Sequence, residues 1–183
     1  MSLCVIIYGT NGVGKTSLMK CLIAKFGVAH ETKTLTTLKN GWGVCGRYDE
    51  GRYGGVDRFG ETSILPPLAA DFFKTGNVFL AEGVKLHGIG TNITNTIFQA
   101  DKQLAVLVTA DAKVLDQRLR QRSGKGITKA IIKDQLSNIR TLKKWAEMGV
   151  NVLVINNTKA TIDENTNKLI EKINGLLSLS PMD

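Results

Sequence analysis

Gly9-Thr10-Asn11-Gly12-Val13-Gly14-Lys15-Thr16 fits the pattern G-x-x-x-x-G-K-[ST]. An apolar run, residues 3–8, precedes it and a stretch of helical period, residues 15–26, follows it. That context counts, because the pattern describes a strand, a turn and a helix start acting together. The glycines let successive backbone N–H groups turn inward without Cβ clashes, making a nest for an anion. The helix that begins near Lys15 adds the positive end of its dipole. The stretch from Gly9 through Ser17 is therefore expected to hold the phosphates of a nucleoside triphosphate. Lys15 is expected on the β- and γ-phosphates, and the Thr16 hydroxyl on Mg²⁺.

Outward from this loop, apolar runs of strand length alternate with helical periods. That is the rhythm of a mostly parallel sheet covered on both faces. Residues 3–8, 78–81, 104–108 and 150–155 read as buried strands, with a weaker one at 32–38. Helices are predicted over about 65–75, 92–99, 111–122, 128–147 and 162–177, besides 15–26. In the first helix Leu18, Cys21, Leu22 and Lys25 share a side, with Met19, Ile23 and Phe26 beside them, and Gly27 stands where a helix-ending glycine belongs. Thr161-x-x-Glu164 has the spacing of a capping box, and Ile162, Leu169, Ile173 and Leu176 or Leu177 are assigned to the core. The expected architecture is a single α/β domain, 1–183, with the three-layer fold of P-loop nucleotide hydrolases.

Residues 41–60 break the rhythm with seven glycines. Residues 44–48, the turn Asp49-Glu50-Gly51 and residues 52–56 read as a hairpin lying over the strand ends.

Composition narrows the class. Hydrophobic residues at 43% and charged ones at 22% are ordinary for a soluble domain, whereas the net charge of +8 favours an anionic partner. No apolar run approaches the roughly 20 residues that span a bilayer, so no membrane partner is expected. Cys4, Cys21 and Cys45 are odd in number and lack C-x-x-C spacing. They argue against a disulfide framework or a zinc site and suit a reducing cytoplasm.

Other users of such a loop fit less well. A guanine-specific switch protein carries N-K-x-D late in the chain. Here Asn157-Thr158-Lys159 lacks the order and Asn167-Lys168-Leu169-Ile170 lacks the Asp. Asp57-Arg58-Phe59-Gly60 spells D-x-x-G, yet Gly54-Gly55-Val56 precede it instead of an apolar strand. A motor ATPase would end its third strand in Asp-Glu. This strand ends Phe79-Leu80-Ala81-Glu82-Gly83. Glu82 either stands behind the metal and holds its water shell, or is a solvent-facing carboxylate at a strand end.

Residues 111–125 then carry Arg118-Leu119-x-x-Arg122 followed by Gly124-Lys125. Arg118 and Arg122 are four apart, and a continuing helix would bring Lys125 to the same face. Guanidinium forks match phosphate oxygens two at a time. A strand, a helix with these arginines and a short basic loop resemble the lid of nucleoside-monophosphate-kinase-type P-loop kinases. The resemblance covers the organisation of most of the chain, with close matches only at 9–16 and 118–125. It implies ATP and Mg²⁺, a lid over about 118–126, and lid arginines that clamp the transferring phosphoryl group. It also implies that Asn156-Asn157-Thr158 lies against the ATP base.

Residues 45–60 occupy the place where that group keeps acceptor recognition. Asp57 is positioned either to take the proton of an attacking hydroxyl or to cap a turn. Arg47, Arg58, Lys85 and His87 are the candidate acceptor contacts, although a lone histidine is usually structural. Tyr48, Tyr53 and Phe59 either stack on a base or seal the segment onto the core. Asp57-Arg58-Phe59 resembles the D-R-[YH] of thymidylate kinases at a shorter spacing from Lys15. The whole glycine-rich stretch is similar to small phage P-loop kinases that phosphorylate 5-hydroxymethyluridine within DNA. On the helix 128–147, Lys129, Lys133, Arg140 and Lys144 line up along one side, with Ile132, Leu136, Ile139 and Leu142 assigned to the apolar side. Together these lean towards a nucleotide unit in DNA as acceptor. A free nucleoside monophosphate or another small hydroxyl compound is the alternative, and a nucleic-acid-binding ATPase without transfer activity is the rival.

Overall fold

The computed structural model describes residues 1–48 and 54–178. The strand before the glycine loop is β1, Leu3–Tyr8, and every residue in it is buried. It pairs in parallel with β5 (Val78–Glu82) on one side and β6 (Lys102–Thr109) on the other. A strand buried on both faces needs apolar side chains at every position, which is why Leu-Cys-Val-Ile-Ile-Tyr runs without alternation. β7 (Asn151–Asn156) continues the parallel set beyond β6, and β4 (Gly43–Cys45) continues it beyond β5. The sheet has seven strands in the order β2-β3-β4-β5-β1-β6-β7. The fold is a P-loop-type α/β sandwich with β1 inside the sheet, between β5 and β6.

Two cores lie on opposite faces of this sheet. Leu18, Met19 and Leu22 of α1 (Lys15–Phe26), Leu115 and Leu119 of α4 (Ala112–Ser123), and Leu169 and Ile173 of α6 (Ile162–Ser178) pack on one face. Leu65 and Phe72 of α2 (Leu65–Phe72), Ile93 and Ile97 of α3 (Thr91–Ile97), and Trp145 of α5 (Lys129–Glu147) pack on the other. Local signals set the helix ends. Gly27, at φ +71°, donates its N–H to Ile23 O and stops α1. Thr161 N–H and Oγ1 bond Glu164 Oε2 at 2.7 and 3.0 Å, and Glu164 N–H returns to Thr161 Oγ1 at 3.2 Å, which is the capping box anticipated from the sequence.

Three expectations are corrected. The weak strand near 32–38 is an antiparallel pair, β2 (Val28–Glu31) with β3 (Leu35–Leu38), added at one edge of the sheet. All of β2 is exposed, so burial left no trace of it in the sequence. Among the described residues, 44–45 and 54–56 do not pair as the two arms of a hairpin. Val44 is built into the sheet, opposite Thr36 of β3 and Leu80 of β5, and Gly55–Arg58 is one 3₁₀ turn. The turn at 49–51, with Arg52 and Tyr53, lies outside the described residues.

The third correction concerns the face of α5. It buries Asn138, Thr141 and Trp145, while Ile132, Leu136 and Ile139 are exposed. Trp145 is fully buried and its ring meets Phe98 at 6.4 Å between centroids. Its carbonyl also accepts Val150 N–H at 3.0 Å, which fixes the helix rotation at the turn into β7. One large aromatic set at that turn outranks a row of aliphatics further along.

Candidate phosphate-binding site

The loop between β1 and α1 is a backbone nest. Gly9, Gly12 and Gly14 all have positive φ, at 151°, 84° and 97°. At Gly14 space is decisive as well, because a Cβ there would stand 2.2 Å from Asn157 Nδ2. Lys15 is 6% exposed and donates to Gly9 O at 3.0 Å and Thr10 O at 3.2 Å, so its ammonium bridges the loop it belongs to. Burial lowers its pKa, and the Glu82 and Asp57 carboxylates oppose that shift.

Glu82, at the end of β5, comes to the same place. Thr16 Oγ1 donates to Glu82 Oε1 at 3.1 Å, while Glu82 Oε2 is buried without a hydrogen-bond partner. Burial pushes this carboxyl above the usual carboxylate range, with Lys15 and the Thr16 hydrogen bond pulling the other way. A hydroxyl beside a carboxylate with one unmatched oxygen suits Mg²⁺, which keeps several waters and takes its remaining oxygens from phosphates. Among the described residues no group of three or more His, Cys, Asp or Glu gathers to cage a metal. The donor set present fits a nucleotide-borne magnesium ion, with Thr16 and Glu82 as its protein side.

The 3₁₀ turn 55–58 closes over this corner. Gly55 has φ +62°, and a Cβ on it would meet Glu82 O at 2.3 Å. Asp57 accepts Val84 N–H at 2.9 and 3.0 Å through its two oxygens, and Lys85 N–H at 3.4 Å. It therefore caps the turn after β5 and also lines the phosphate cleft. The two roles weighed for Asp57 are compatible, since Oδ1 accepts from both Val84 N–H and Lys85 N–H while Oδ2 accepts only from Val84 N–H and keeps a second lone pair.

That cleft measures about 270 Å³, and Lys15, Thr16, Lys20, Asp57, Arg118 and Arg122 are among its walls. Arg118 Nη2 donates to Asn157 O at 2.9 Å, whereas its Nη1 is buried without a partner. Arg122 is exposed at the rim. Arg120 points elsewhere and pairs with Asp116 at 2.6 Å. α4 ends at Ser123, with Gly124 in the left-handed region at φ +71°, so no continuing helix brings Lys125 to the arginine face. Asp116 also accepts Ile127 N–H at 2.6 Å, tying the connection to α5 back onto α4.

The four acceptor-side candidates do not line the cleft. Arg47 pairs with Glu31 of β2 at 3.6 Å. Arg58 Nη1 reaches Arg47 O at 3.5 Å, and the Lys85 ammonium bonds Gly60 O. His87 Nδ1 lies 2.6 Å from Val84 O. They surround the outer side of the Asp57 turn.

Asn157 does more than its place after the last strand suggested. Its Nδ2 donates to Val13 O at 2.9 Å, its Oδ1 accepts from Asn165 Nδ2 at 3.2 Å, and its carbonyl holds Arg118. It joins the loop, α6 and α4. A second cavity of about 470 Å³ opens beside it, lined by Gly12, Ser17, Arg118, Asn157, Ala160 and Thr161 among others. Lys20, one turn after Thr16, is the cleft cation that motif reading missed. The i, i+4 spacing from Thr16 was the available signal.

No family model matches this sequence, and no curated protein matches it. Solved structures do match in fold. A sugar kinase from Janibacter sp. is 12% identical, with a TM-score of 0.55 over 95% of each chain. The shikimate kinase of Acinetobacter baumannii, in complex with shikimate, is 10% identical, with a TM-score of 0.54 over 98% of this chain and 97% of that one. A gluconokinase from Sinorhizobium meliloti is 13% identical, with a TM-score of 0.50 over 96% and 97%. At these identities the likeness is one of fold.

Proposed function

We propose that this chain transfers the γ-phosphoryl group of ATP to the hydroxyl of a small anionic acceptor of the nucleoside-monophosphate type. The observation that carries the reading is the convergence of Lys15, Thr16, Asp57 and Arg118 on one cleft, with Glu82 buried behind Thr16 and bonded to its hydroxyl. A nucleotide-dependent switch needs the nest and the metal side, but not a guanidinium held at the rim with Nη1 unmatched. The matched folds include kinases of sugars, shikimate and gluconate, and so accommodate small hydroxyl acceptors.

In this reading the nest and Lys15 hold the triphosphate, and the cavity beside Asn157 and Thr161 receives the base. Magnesium bound by Thr16 and Glu82 supplies neutralisation of phosphate charge. The acceptor oxygen forms a bond to the γ-phosphorus as the bond to the β-phosphate oxygen breaks. Asp57 takes the hydroxyl proton, and ADP leaves. Arg118 and Arg122 meet the charge that shifts onto the γ-phosphoryl oxygens during transfer. Arg47, Arg58 and Lys85 do not line the cleft, but they give the surface beside the Asp57 turn a positive charge that favours an anionic acceptor. The work is positioning and electrostatics, as phosphoryl transfer requires.

The net charge of +8 and the exposed cations Lys129, Lys133, Arg140 and Lys144 favour a second reading, in which the acceptor is a modified base in DNA. A reducing cytoplasm suits either, since Cys4, Cys21 and Cys45 are all free thiols. Among the described residues no helix is long and apolar enough to cross a membrane. One assay tests the readings together: γ-labelled ATP offered with nucleoside monophosphates, neutral sugars, unmodified DNA and DNA carrying 5-hydroxymethyluridine. Label on a nucleoside monophosphate supports the first reading, and label on modified DNA alone supports the second. ATP hydrolysis without label on any acceptor, even with phosphorylated sugars added, overturns both.

A further inference from the structure

The outward face of α5 carries two parallel rows. Ile132, Leu136 and Ile139 are 46%, 55% and 43% exposed and follow one another at i, i+4 and i+7. At about 100° per residue they fall within one narrow sector of the helix. Lys129, Lys133, Arg140 and Lys144 form the adjacent row, and Lys143 falls within the apolar sector. All five cations are exposed, against two acids on the whole helix, Asp134 and Glu147. A contiguous aliphatic row on a surface marks an interaction site more often than a scatter of single residues does.

We propose that this face docks an acidic amphipathic helix of a partner protein. The apolar row matches the i, i+4, i+7 anchors of such a helix, and the cations match acidic residues flanking those anchors. Beside the row, a cavity of about 310 Å³ opens between Ile132, Leu136 and Ile139 on one side and Thr109, Ala110 and Asp111 on the other. It receives one bulky apolar side chain of the incoming helix. A planar lipid surface does not reach into such a cavity. Duplex phosphates match the cations but leave three aliphatic side chains to be covered by charge. A second copy of this chain brings its own net charge of +8 against the same face.

The test uses the full chain and a fluorescent synthetic helix with a leucine row flanked by glutamates. A counterpart keeps the leucines and carries lysines instead. Anisotropy should show saturable binding of the acidic peptide and binding about tenfold weaker, or none, for the basic one. Leu136→Ala and the double change Lys133→Glu, Arg140→Glu should each weaken the acidic peptide about tenfold without a change in melting temperature, since these side chains lie outside the core. Vesicles of phosphatidylserine and phosphatidylcholine, and a short DNA duplex, are run in parallel. The proposal is overturned if the acidic peptide fails to bind, if both peptides bind equally, or if the substitutions leave binding unchanged. It is also overturned if vesicles or duplex bind more tightly than the peptide through these same residues.

Discussion

Glu82 accepts the Thr16 hydroxyl on one oxygen and keeps the other buried without a partner. The end of β5 thus supports the loop after β1 from behind: Glu82 is buried, and Thr16, Lys15, Asp57, Arg118 and Arg122 line the cleft in front of it. Each of these groups has its own expected signature.

Lys15→Ala should lower phosphoryl transfer by about 10²–10³-fold, the usual cost of losing one donor to developing charge. Circular dichroism should be unchanged, because alanine is a good helix former at the start of α1. Wild-type turnover in this variant would remove the site assignment.

The Glu82 carboxyl is held above the usual carboxylate range by burial. The folded chain therefore binds that proton more tightly than the unfolded chain. Its contribution to stability is greatest below the ordinary value and is lost as pH rises through the interval up to the folded value. Urea titrations of the nucleotide-free protein should show this downward slope, and Glu82→Gln should flatten it. With ATP present, the same substitution should raise the magnesium concentration needed for half-maximal transfer.

Arg122→Lys should reduce kcat more than nucleotide affinity. It keeps the charge but loses the fork, whose geometry matters most as charge redistributes in the transition state. Steady-state kinetics with equilibrium nucleotide binding separate the two. An unchanged kcat would leave the clamp to Arg118.

Thr161→Ala should cost about 1 kcal/mol of stability, read from the shift in urea midpoint at constant slope. The change removes both bonds of the Thr161 hydroxyl, from Glu164 N–H and to Glu164 Oε2, and leaves the Thr161 N–H bond to Glu164 Oε2 in place.

The glycine loop, the parallel strands and the helix caps were legible because each depends on neighbours in the chain. Gly9 through Thr16 needs only its own backbone to form a nest, and Thr161 needs only Glu164. Features that depend on distant partners were not legible. Asn157 looked like a residue of a strand-end turn, and nothing nearby in sequence reveals its bonds to Val13, Arg118 and Asn165. The rotation of α5 was misread for the same reason. Its Ile132–Leu136–Ile139 row has the period of a core face, but Trp145 and the turn to Val150 decide which side meets the sheet. The exposed β2 shows the opposite failure, since its pairing with β3 is a matter of backbone hydrogen bonds and leaves no apolar pattern.

In the function proposed above, the bond from Arg118 to Asn157 O also sets the cost of capturing a nucleotide. A free arginine carries about 2 kcal/mol of rotamer entropy, which a ligand must remove before both guanidinium nitrogens are aligned. Here much of that ordering has already taken place during folding: Nη2 is anchored to the end of β7, and Nη1 is turned inward. The anchor carbonyl belongs to Asn157, whose side-chain Nδ2 donates to Val13 O of the loop, so arginine and loop are positioned by one residue. The arriving phosphates then meet a cation that has little freedom left to lose, and affinity rises without any contact being added.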